Sequence, residues 1–202
     1  MATRTLGITG GIGSGKSTVC DILETFGARI FKADEVGKRS MTDNYDVRQE
    51  VTDMFGVDSY IVGGELNTAY LADVVFADPE RVRAINAIVH PRVLAAFEDA
   101  TSMARRDGIN VLVLESALLF QSGGHELVDA VAVVDAPPAI RRARVIERDG
   151  IEPEAVDARM RHQTSPAELR RRADHIIQNQ RSIDDLRDAV ADLYRKVLVG
   201  GR

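Results

Sequence analysis

Cysteine is almost absent from this chain, because Cys20 is the single one among 202 residues. One cysteine cannot form an intramolecular disulfide, and it excludes a cluster of cysteine ligands around a metal. We interpret Cys20 as a small apolar side chain in the interior. A chain without disulfides fits a reducing compartment, so we expect a soluble cytoplasmic protein.

Positive charge is not in excess either, and long apolar runs are missing. The formal net charge is −5 at pH 7, whereas a nucleic-acid-binding domain is usually basic. Outside a local basic patch, we therefore expect no nucleic-acid partner. No apolar run approaches the roughly 20 residues that cross a bilayer, and no charged segment followed by an apolar one opens the chain. We therefore expect no membrane partner and no leader segment.

The composition of the chain is that of a globular protein. Hydrophobic residues make up 45% of the chain and charged residues 28%, as in folded rather than disordered proteins. The length suits one domain with room for an appended lobe. The sequence carries no signal for the oligomeric state.

Glycine is concentrated near the start of the chain, in LGITGGIGSGKSTV at positions 6–19. The spacing G-x-x-x-x-G-K-S, from Gly10 to Ser17, is typical of a loop whose backbone N–H groups surround phosphate oxygens. Lys16 would reach the β- and γ-phosphates of a nucleotide, and the Ser17 hydroxyl would be the ligand of Mg²⁺. A strand-like segment precedes this loop and a helix-like segment follows it, as the loop requires. The predicted nucleotide contacts are Gly11, Ile12, Gly13, Ser14, Gly15, Lys16, Ser17 and Thr18.

Short apolar runs recur along the chain and predict strands of a parallel sheet that are buried on both faces. The runs are TRTLGIT (3–9), ARIF (28–31), NVLVLE (110–115), AVAVVDA (130–136) and HII (175–177). Helix-like segments separate them. The last begins at Ser182 as N-cap and carries apolar residues at helical spacing, namely Ile183, Leu186, Val190, Leu193 and Val197. The alternation predicts an α/β doubly wound parallel sheet of about five strands in a single domain, 1–202.

The connection between the second and third predicted strands is unusually long, at about 80 residues, whereas a crossover helix needs far fewer. Asp78-Pro79 predicts the start of a helix through Val89, and His90-Pro91 predicts the start of a second helix that ends near Arg106. We interpret His90 as an N-cap or a core histidine. Residues 35–106 are predicted to form a helical lobe beside the sheet, which an enzyme with two substrates could use for the second one.

Two acids follow predicted strands at the edge of the sheet where the phosphate loop also lies. Ligands of open α/β sheets bind outside the carboxyl ends of the strands. Asp34 is either a base for a hydroxyl that attacks the γ-phosphorus or the N-cap of the next helix. Glu115 either holds Mg²⁺ through water or is a solvated loop acid.

Three arginines follow the fourth predicted strand at i, i+3 and i+7. On a helix, this spacing places Arg141, Arg144 and Arg148 on one face. Such a face either closes over nucleotide phosphates, as arginine lids do in small kinases, or is a solvated face with ion pairs to Glu147 or Asp149. Beside a phosphate loop we favour a lid, which we place in residues 138–166.

Several segments together resemble the dephospho-coenzyme A kinase family in their order and spacing. They are GITGGIGSGKSTV (7–19), ADEVGK (33–38), VHPRV (89–93), ALLF (117–120), RARVIERDGI (142–151), RMRHQ (159–163) and ADHIIQN (173–179). The resemblance covers nearly the whole chain. It implies ATP-dependent phosphorylation of the ribose 3′-hydroxyl of dephospho-coenzyme A, the last step of coenzyme A synthesis.

The resemblance also implies site residues. The family's catalytic aspartate corresponds to Asp34, its lid arginines to Arg144 and Arg148, and its adenine-side asparagine to Asn179. With Lys16 these form the expected catalytic set, and the insertion corresponds to the acceptor-binding lobe of the family.

The chain departs from the family pattern at three positions. Lys32 stands where the family often has aspartate, and Ala117 and Gln121 stand where it usually has proline and glutamate. These differences concern position 32 and the acceptor contacts near 117–121, and they leave the phosphate machinery intact.

Two other hypotheses remain open from the residues. One is a different small-molecule or nucleoside kinase, with the same machinery and another acceptor. The other is a GTP-dependent switch, because DEVG (34–37) and FKAD (31–34) imitate a switch motif and a guanine-reading motif. Both segments follow the second strand, however, and no Asn-Lys-x-Asp occurs in the chain.

Overall fold

The computed structural model describes residues 2–161 and 163–200. His162, in the RMRHQ segment and the predicted lid, lies outside them. The strands are β1 (Arg4–Thr9), β2 (Arg29–Lys32), β3 (Val111–Glu115), β4 (Ala130–Asp135) and β5 (His175–Gln178). The helices are α1 (Lys16–Thr25), α2 (Ala33–Asp43), α3 (Tyr45–Phe55), α4 (Thr68–Phe76), α5 (Pro79–Arg106), α6 (Pro138–Asp149), α7 (Pro153–Arg161), α8 (Pro166–Arg172) and α9 (Ile183–Val199). Two short 3-10 turns cover Val57–Ser59 and Gly124–Leu127.

The chain divides into two compact units. The first contains the residues up to Phe31 and those from Ala100 onward, and the second is Lys32–Asp99. The second unit covers most of the predicted insertion at 35–106, while the last part of that range belongs to the first unit.

The first unit contains a five-stranded sheet in the order β2-β3-β1-β4-β5. β1 pairs in parallel with β3 and β4, and β4 pairs in parallel with β5. The predicted α/β fold with a parallel sheet is therefore confirmed. Because β1 is central, the loop that follows it opens at the middle of the sheet's carboxyl edge.

The core of the first unit packs α1 and α9 against the sheet. Leu6 and Ile8 of β1 have no exposed surface, and neither do Leu23 of α1 and Val190 of α9. Cys20 is 1% exposed in this core, which confirms that it is an interior side chain. Burial raises the pKa of its thiol, and the nearby charge of Glu115 raises it further.

The edge strands depart from the prediction that all strands are buried on both faces. β2 is only half-buried, and Ile176 of β5 is 45% exposed. An edge strand has a neighbour on one side only, so an apolar run there is not enclosed as it is in β1, β3 or β4.

The last helix, α9, forms as predicted. The Ser182 hydroxyl accepts a hydrogen bond from the Asp185 N–H, and the Asp185 carboxylate accepts one from the Ser182 N–H, which completes a capping box. Leu186, Val190, Leu193 and Val197 are buried. Ile183, the first residue of the helix, is 53% exposed.

The second unit is helical and has its own core. Six buried side chains from α3, α4 and α5 form it: Val47, Val51, Phe55, Leu71, Val75 and Ile88. The Arg48 guanidinium lies 4.4 Å from the centre of the Tyr60 ring and donates to the Gly64 carbonyl at 2.6 Å, which anchors the loop after α3.

Pro91 lies inside one continuous helix, α5, so the prediction of a second helix starting at His90-Pro91 is wrong. His90 is likewise inside the helix rather than its N-cap, and partial burial lowers its pKa. The predicted start at Asp78-Pro79 is confirmed, since the Glu80 N–H donates to Asp78 Oδ1 at 2.8 Å. Val93 and Phe97 continue the buried face beyond the proline, and this burial outweighs the lost hydrogen bond.

Within the described part of the chain, no helix combines the length and apolar character needed to cross a membrane.

Replacing Pro91 should stabilise the protein. The side chain is exposed, so Pro91→Ala leaves no cavity and restores an N–H that can bond to the Ala87 carbonyl. An interior proline costs about 3 kcal/mol relative to alanine, and the freer unfolded chain returns up to about 1 kcal/mol of that. We expect a net gain of about 2 kcal/mol, which raises the Tm by about 4–8 °C. Pro79→Ala, at the first helical position, is the control and should not raise the Tm. A Tm for Pro91→Ala at or below that of the unchanged protein would contradict this account.

Candidate active site at the phosphate loop

The loop between β1 and α1 has the backbone of an anion-binding turn. Gly13 and Gly15 have φ angles of 74° and 95°, in the left-handed region that favours glycine. Gly15 is the N-cap of α1, so the free N–H groups and the positive end of the helix dipole face the space that the loop surrounds. The loop can therefore bind a phosphate group through its backbone.

Lys16 is the first residue of α1, and its side chain folds back over the loop. Its Nζ donates a hydrogen bond to the Gly10 carbonyl at 3.1 Å. This places a cation across the loop mouth, where the predicted contact with nucleotide phosphates requires it. Ser17 is exposed and Thr18 half-buried on the same first turn.

Asn179 joins the loop to the carboxyl end of β5. It is 6% exposed, and its Nδ2 donates to the Ser14 carbonyl at 2.8 Å. A Cβ on Gly15 would collide with this amide nitrogen. The sequence pointed to Asn179 only through the resemblance. Its hydrogen bond to Ser14 joins residues 165 positions apart, so no local pattern could have predicted it.

Arg144 of α6 meets the same asparagine. Its Nη2 donates to Asn179 Oδ1 at 3.3 Å, while its Nη1 is buried without a hydrogen-bond partner. Arg144, Asn179 and Ser14 are therefore brought together, and the guanidinium retains donor capacity beside the loop. An unused buried donor costs free energy, which an anionic ligand can recover.

Arg148 is not part of this group. It lies one helical turn after Arg144 and is bonded to Asp149, with Nε to Oδ1 at 2.7 Å and a side chain that is 63% exposed. This bond lowers the pKa of Asp149. Four residues of helix carry Arg148 about 6 Å farther along the axis, so the predicted arginine face is divided between the loop and solvent.

Two side chains that hold the loop were missed as site residues. Gln163 Oε1 accepts a hydrogen bond from the Ile12 N–H at 2.8 Å. Arg141, which the sequence suggested only as one member of an arginine face, is 6% exposed and packs against Gly11. Gln163 carries no signal of its own in the sequence beyond its place in the RMRHQ segment. Since Gln163 holds this N–H, Ile12 can contact a nucleotide through its other atoms while the bond stays in place.

Asp34 belongs to the second unit, as the second residue of α2. It is exposed, and the N-cap of α2 is Lys32, whose side chain forms no cap bond. The alternative that Asp34 is an N-cap is therefore wrong. A carboxylate in the first turn is favoured by the helix dipole.

Glu115 is half-buried as the last residue of β3 and lies opposite Ile8 in the register. It is therefore a strand residue rather than a loop acid, and a role toward Mg²⁺ through water stays a prediction. No group of three or more His, Cys, Asp or Glu side chains within the described ranges is placed to hold a metal ion.

The three departures from the family pattern have identifiable contacts or surroundings. Lys32 forms an ion pair with Glu35 at 3.3 Å. Gln121 Nε2 donates to Thr164 Oγ1 at 2.6 Å, beside Gln163, and Ala117 is half-buried. Gln121 thus anchors the segment that holds the loop.

The imitated switch motif is part of regular structure. DEVG (34–37) lies inside α2, and FKAD (31–34) spans the end of β2 and the start of α2. Neither segment is a loop that could contact a guanine base in the manner of a switch protein.

Comparisons with known proteins point to one family. A family model described as Dephospho-CoA kinase matches residues 4–185. A Dephospho-CoA kinase from Salinibacter ruber is 50% identical over 196 residues, which are 97% of this chain and 98% of that protein. A Dephospho-CoA kinase from Corynebacterium diphtheriae is 38% identical over 193 residues, 96% of each chain.

A solved structure gives the same result for the fold. The crystal structure of TT1252 from Thermus thermophilus has a TM-score of 0.82 at 34% identity, covering 97% of this chain and 98% of that one. Since both the sequence and the fold match over nearly the full length, the GTP-dependent switch is excluded, and the chain belongs to the dephospho-coenzyme A kinase family.

Proposed function

We infer that this chain is an ATP-dependent kinase that phosphorylates the ribose 3′-hydroxyl of dephospho-coenzyme A, giving coenzyme A and ADP. The observation that carries the inference is a phosphate loop held by Asn179, which Arg144 contacts in turn, in a chain that matches the family from residue 4 to residue 185. No specific observation favours a kinase for another acceptor.

ATP is proposed to bind with its phosphates in the loop. The loop N–H groups and the α1 dipole attract the phosphates, and Lys16 neutralises charge on the β- and γ-groups. Asn179 is proposed to lie on the adenine side, since it follows β5 and adjoins Ser14 and Gly15. The proposed contacts remain Gly11 through Thr18 together with Asn179.

Ser17 is the proposed Mg²⁺ ligand. Its hydroxyl is exposed on the first turn of α1, next to Lys16. Mg²⁺ keeps several waters and takes one or two protein ligands together with substrate phosphates, so a single hydroxyl at a phosphate loop fits this ion. When bound, Mg²⁺ neutralises charge that develops on the phosphates during transfer.

Asp34 is proposed as the base that accepts the proton of the acceptor hydroxyl. Its exposure in the first turn of α2 keeps it accessible to a substrate. A carboxylate that accepts a hydrogen bond from the hydroxyl aligns it for attack on the γ-phosphorus and removes its proton as the bond forms.

Arg144 and Arg148 are proposed to stabilise the charge of the transferring phosphoryl group, as parts of a lid at 138–166. Arg144 is already beside the loop and has an unused donor. Arg148 would exchange its bond to Asp149 for one to phosphate, and because that pair is exposed the exchange costs little.

The second unit, Lys32–Asp99, is the proposed acceptor-binding lobe. It carries Asp34 at its start and has a helical core of its own.

We also place the enzyme in the cytoplasm, where Cys20 stays reduced.

The acceptor is tested by incubating the protein with Mg·ATP and a panel of hydroxyl compounds, while ADP release is followed. Dephospho-coenzyme A should give ADP and coenzyme A far faster than AMP or shikimate, since the motifs match one family over nearly the whole chain. Comparable turnover with a plain nucleotide or with shikimate would instead support a general kinase.

The variant Asp34→Asn distinguishes an effect on turnover from effects on ATP affinity and on the stability of the fold. Asparagine has nearly the same shape but carries no charge and is far less basic, so turnover should fall by about 10²–10⁴-fold. ATP affinity by calorimetry and the Tm should stay near those of the unchanged protein, because the loop that binds ATP belongs to the other unit. Glu35→Gln, at the neighbouring exposed acid, is the matched control. Equal turnover in the two variants would remove Asp34 from the mechanism.

Arg144→Ala should slow phosphoryl transfer by about 10³–10⁵-fold, because an arginine that neutralises transition-state charge contributes on that scale. Arg171→Ala, at an exposed arginine of α8, should do little. Single-turnover rates at saturating ATP measure this difference without the effect of Arg144 on ATP affinity. If the two variants behave alike, Arg144 has no part in the transfer.

A further inference from the structure

Glycine is required at position 11 by lack of space, whereas the other loop glycines are required by their backbone conformation. Gly10, Gly13 and Gly15 have positive φ angles, whereas Gly11 does not. The backbone at Gly11 would therefore accept any residue. A Cβ at this position, however, would collide with Arg141 Nη1 and would lie 3.4 Å from Gln163 Oε1. Glycine is needed here because two side chains of the first unit occupy the space.

Placing the Arg141 guanidinium beside Gly11 costs free energy, because the side chain is buried. It is 6% exposed, and its Nε is buried without a hydrogen-bond partner. Burial lowers the pKa of its guanidinium, and the charge of Asp135 opposes that effect. Asp135 itself is bonded to Arg170 at 2.7 Å. A buried cation with unused donor capacity destabilises a fold unless it gains something elsewhere, and what Arg141 contacts is the phosphate loop.

Gln163 holds the next residue of the loop. Its Oε1 accepts the Ile12 N–H at 2.8 Å, and Thr164 beside it is fixed by Gln121 at 2.6 Å. The segment at 163–164 is therefore anchored on one side to the loop and on the other to the chain that follows β3. Arg141 and Gln163 come from opposite ends of the proposed lid region, 138–166, and converge on two consecutive loop residues.

We propose that Arg141 and Gln163 are positioning residues that fix the first half of the phosphate loop, Gly11–Ile12, before ATP arrives. Arg141 packs against Gly11, in the space that a Cβ there would occupy, and Gln163 accepts the Ile12 N–H. A loop held in its binding shape does not lose conformational freedom when the nucleotide binds, so its affinity for ATP is higher. The assignment rests on the proposed function, because it makes these residues part of an ATP site.

The contact of Gln163 is tested without nucleotide. In the ligand-free protein, Gln163→Ala should increase the hydrogen-exchange rate of the Ile12 amide by about tenfold or more, since its acceptor is gone. Gln49→Ala, at an exposed glutamine of α3, is the matched control and should leave that amide unchanged. An unchanged Ile12 amide in Gln163→Ala would overturn the part assigned to Gln163.

The pairing of Arg141 with Gly11 is tested by a double-mutant cycle on the Kd for a non-hydrolysable ATP analogue, measured by calorimetry. Gly11→Ala and Arg141→Ala should each weaken binding by about tenfold. The double variant should bind about as well as Arg141→Ala alone, because the collision disappears with the guanidinium. Losses that multiply in the double variant, or an unchanged Kd in Arg141→Ala, would overturn the proposal.

Two further measurements separate positioning from general stability. With dephospho-coenzyme A as acceptor, Arg141→Ala should raise the KM for ATP and keep kcat within a few-fold, as Asp34 and Arg144 are intact. Arg141→Met, which fills the site without charge, gives the same comparison if Arg141→Ala fails to fold. A fall in kcat with an unchanged KM would contradict the assignment. If the unchanged protein does not bind the analogue, the proposed function fails instead.

Discussion

The parallel register of the central strands is the constraint on which the site depends. Ile8 of β1 lies opposite Glu115 of β3, Thr9 lies opposite Val133 of β4, and Asp135 lies opposite Gln178 of β5. Four chain segments therefore leave the sheet at one edge. A shift of one residue between β1 and β4, or between β4 and β5, would turn the side chains of the shifted strand to the other face, and Asn179 would no longer reach the loop.

Side-chain hydrogen bonds, two of them from residues far along the chain, shape the loop together with its own sequence. Asn179, Gln163 and Lys16 each bond to a backbone group of the loop, at Ser14, Ile12 and Gly10 respectively. Each bond alone contributes about 1 kcal/mol, but together they define one geometry for the N–H groups that face a phosphate. The first unit thus contains the nucleotide machinery, whereas the acid proposed for the transfer, Asp34, is in the second.

Features that depend on residues close together in the sequence were predicted correctly. The loop spacing, the strands β1, β3 and β4 and the capping box at Ser182 were all recognisable from the sequence, because each depends on residues a few positions apart. The predictions that the edge strands are buried on both faces and that a new helix starts at Pro91 were wrong. The burial of these segments depends on which elements pack beside them, and a local pattern does not show that. The hold of Gln163 on the loop was not predictable from periodicity, because it joins residues 151 positions apart. Asn179 entered through family resemblance alone, whereas the position of Asp34 after the second strand already marked it as a candidate. Only the structure showed that Asp34 is not a helix cap.

The burial of Cys20 has a practical consequence. Thiol reagents attack the thiolate, and the raised pKa keeps this sulfur protonated at neutral pH. Its 1% exposure also prevents a reagent from reaching it while α1 is packed on the sheet. Because the chain has no other cysteine, the rate of alkylation measures how often the helix that starts at the phosphate loop separates from the core. The protein therefore carries a single chemical probe of its own opening, next to the loop that binds the nucleotide.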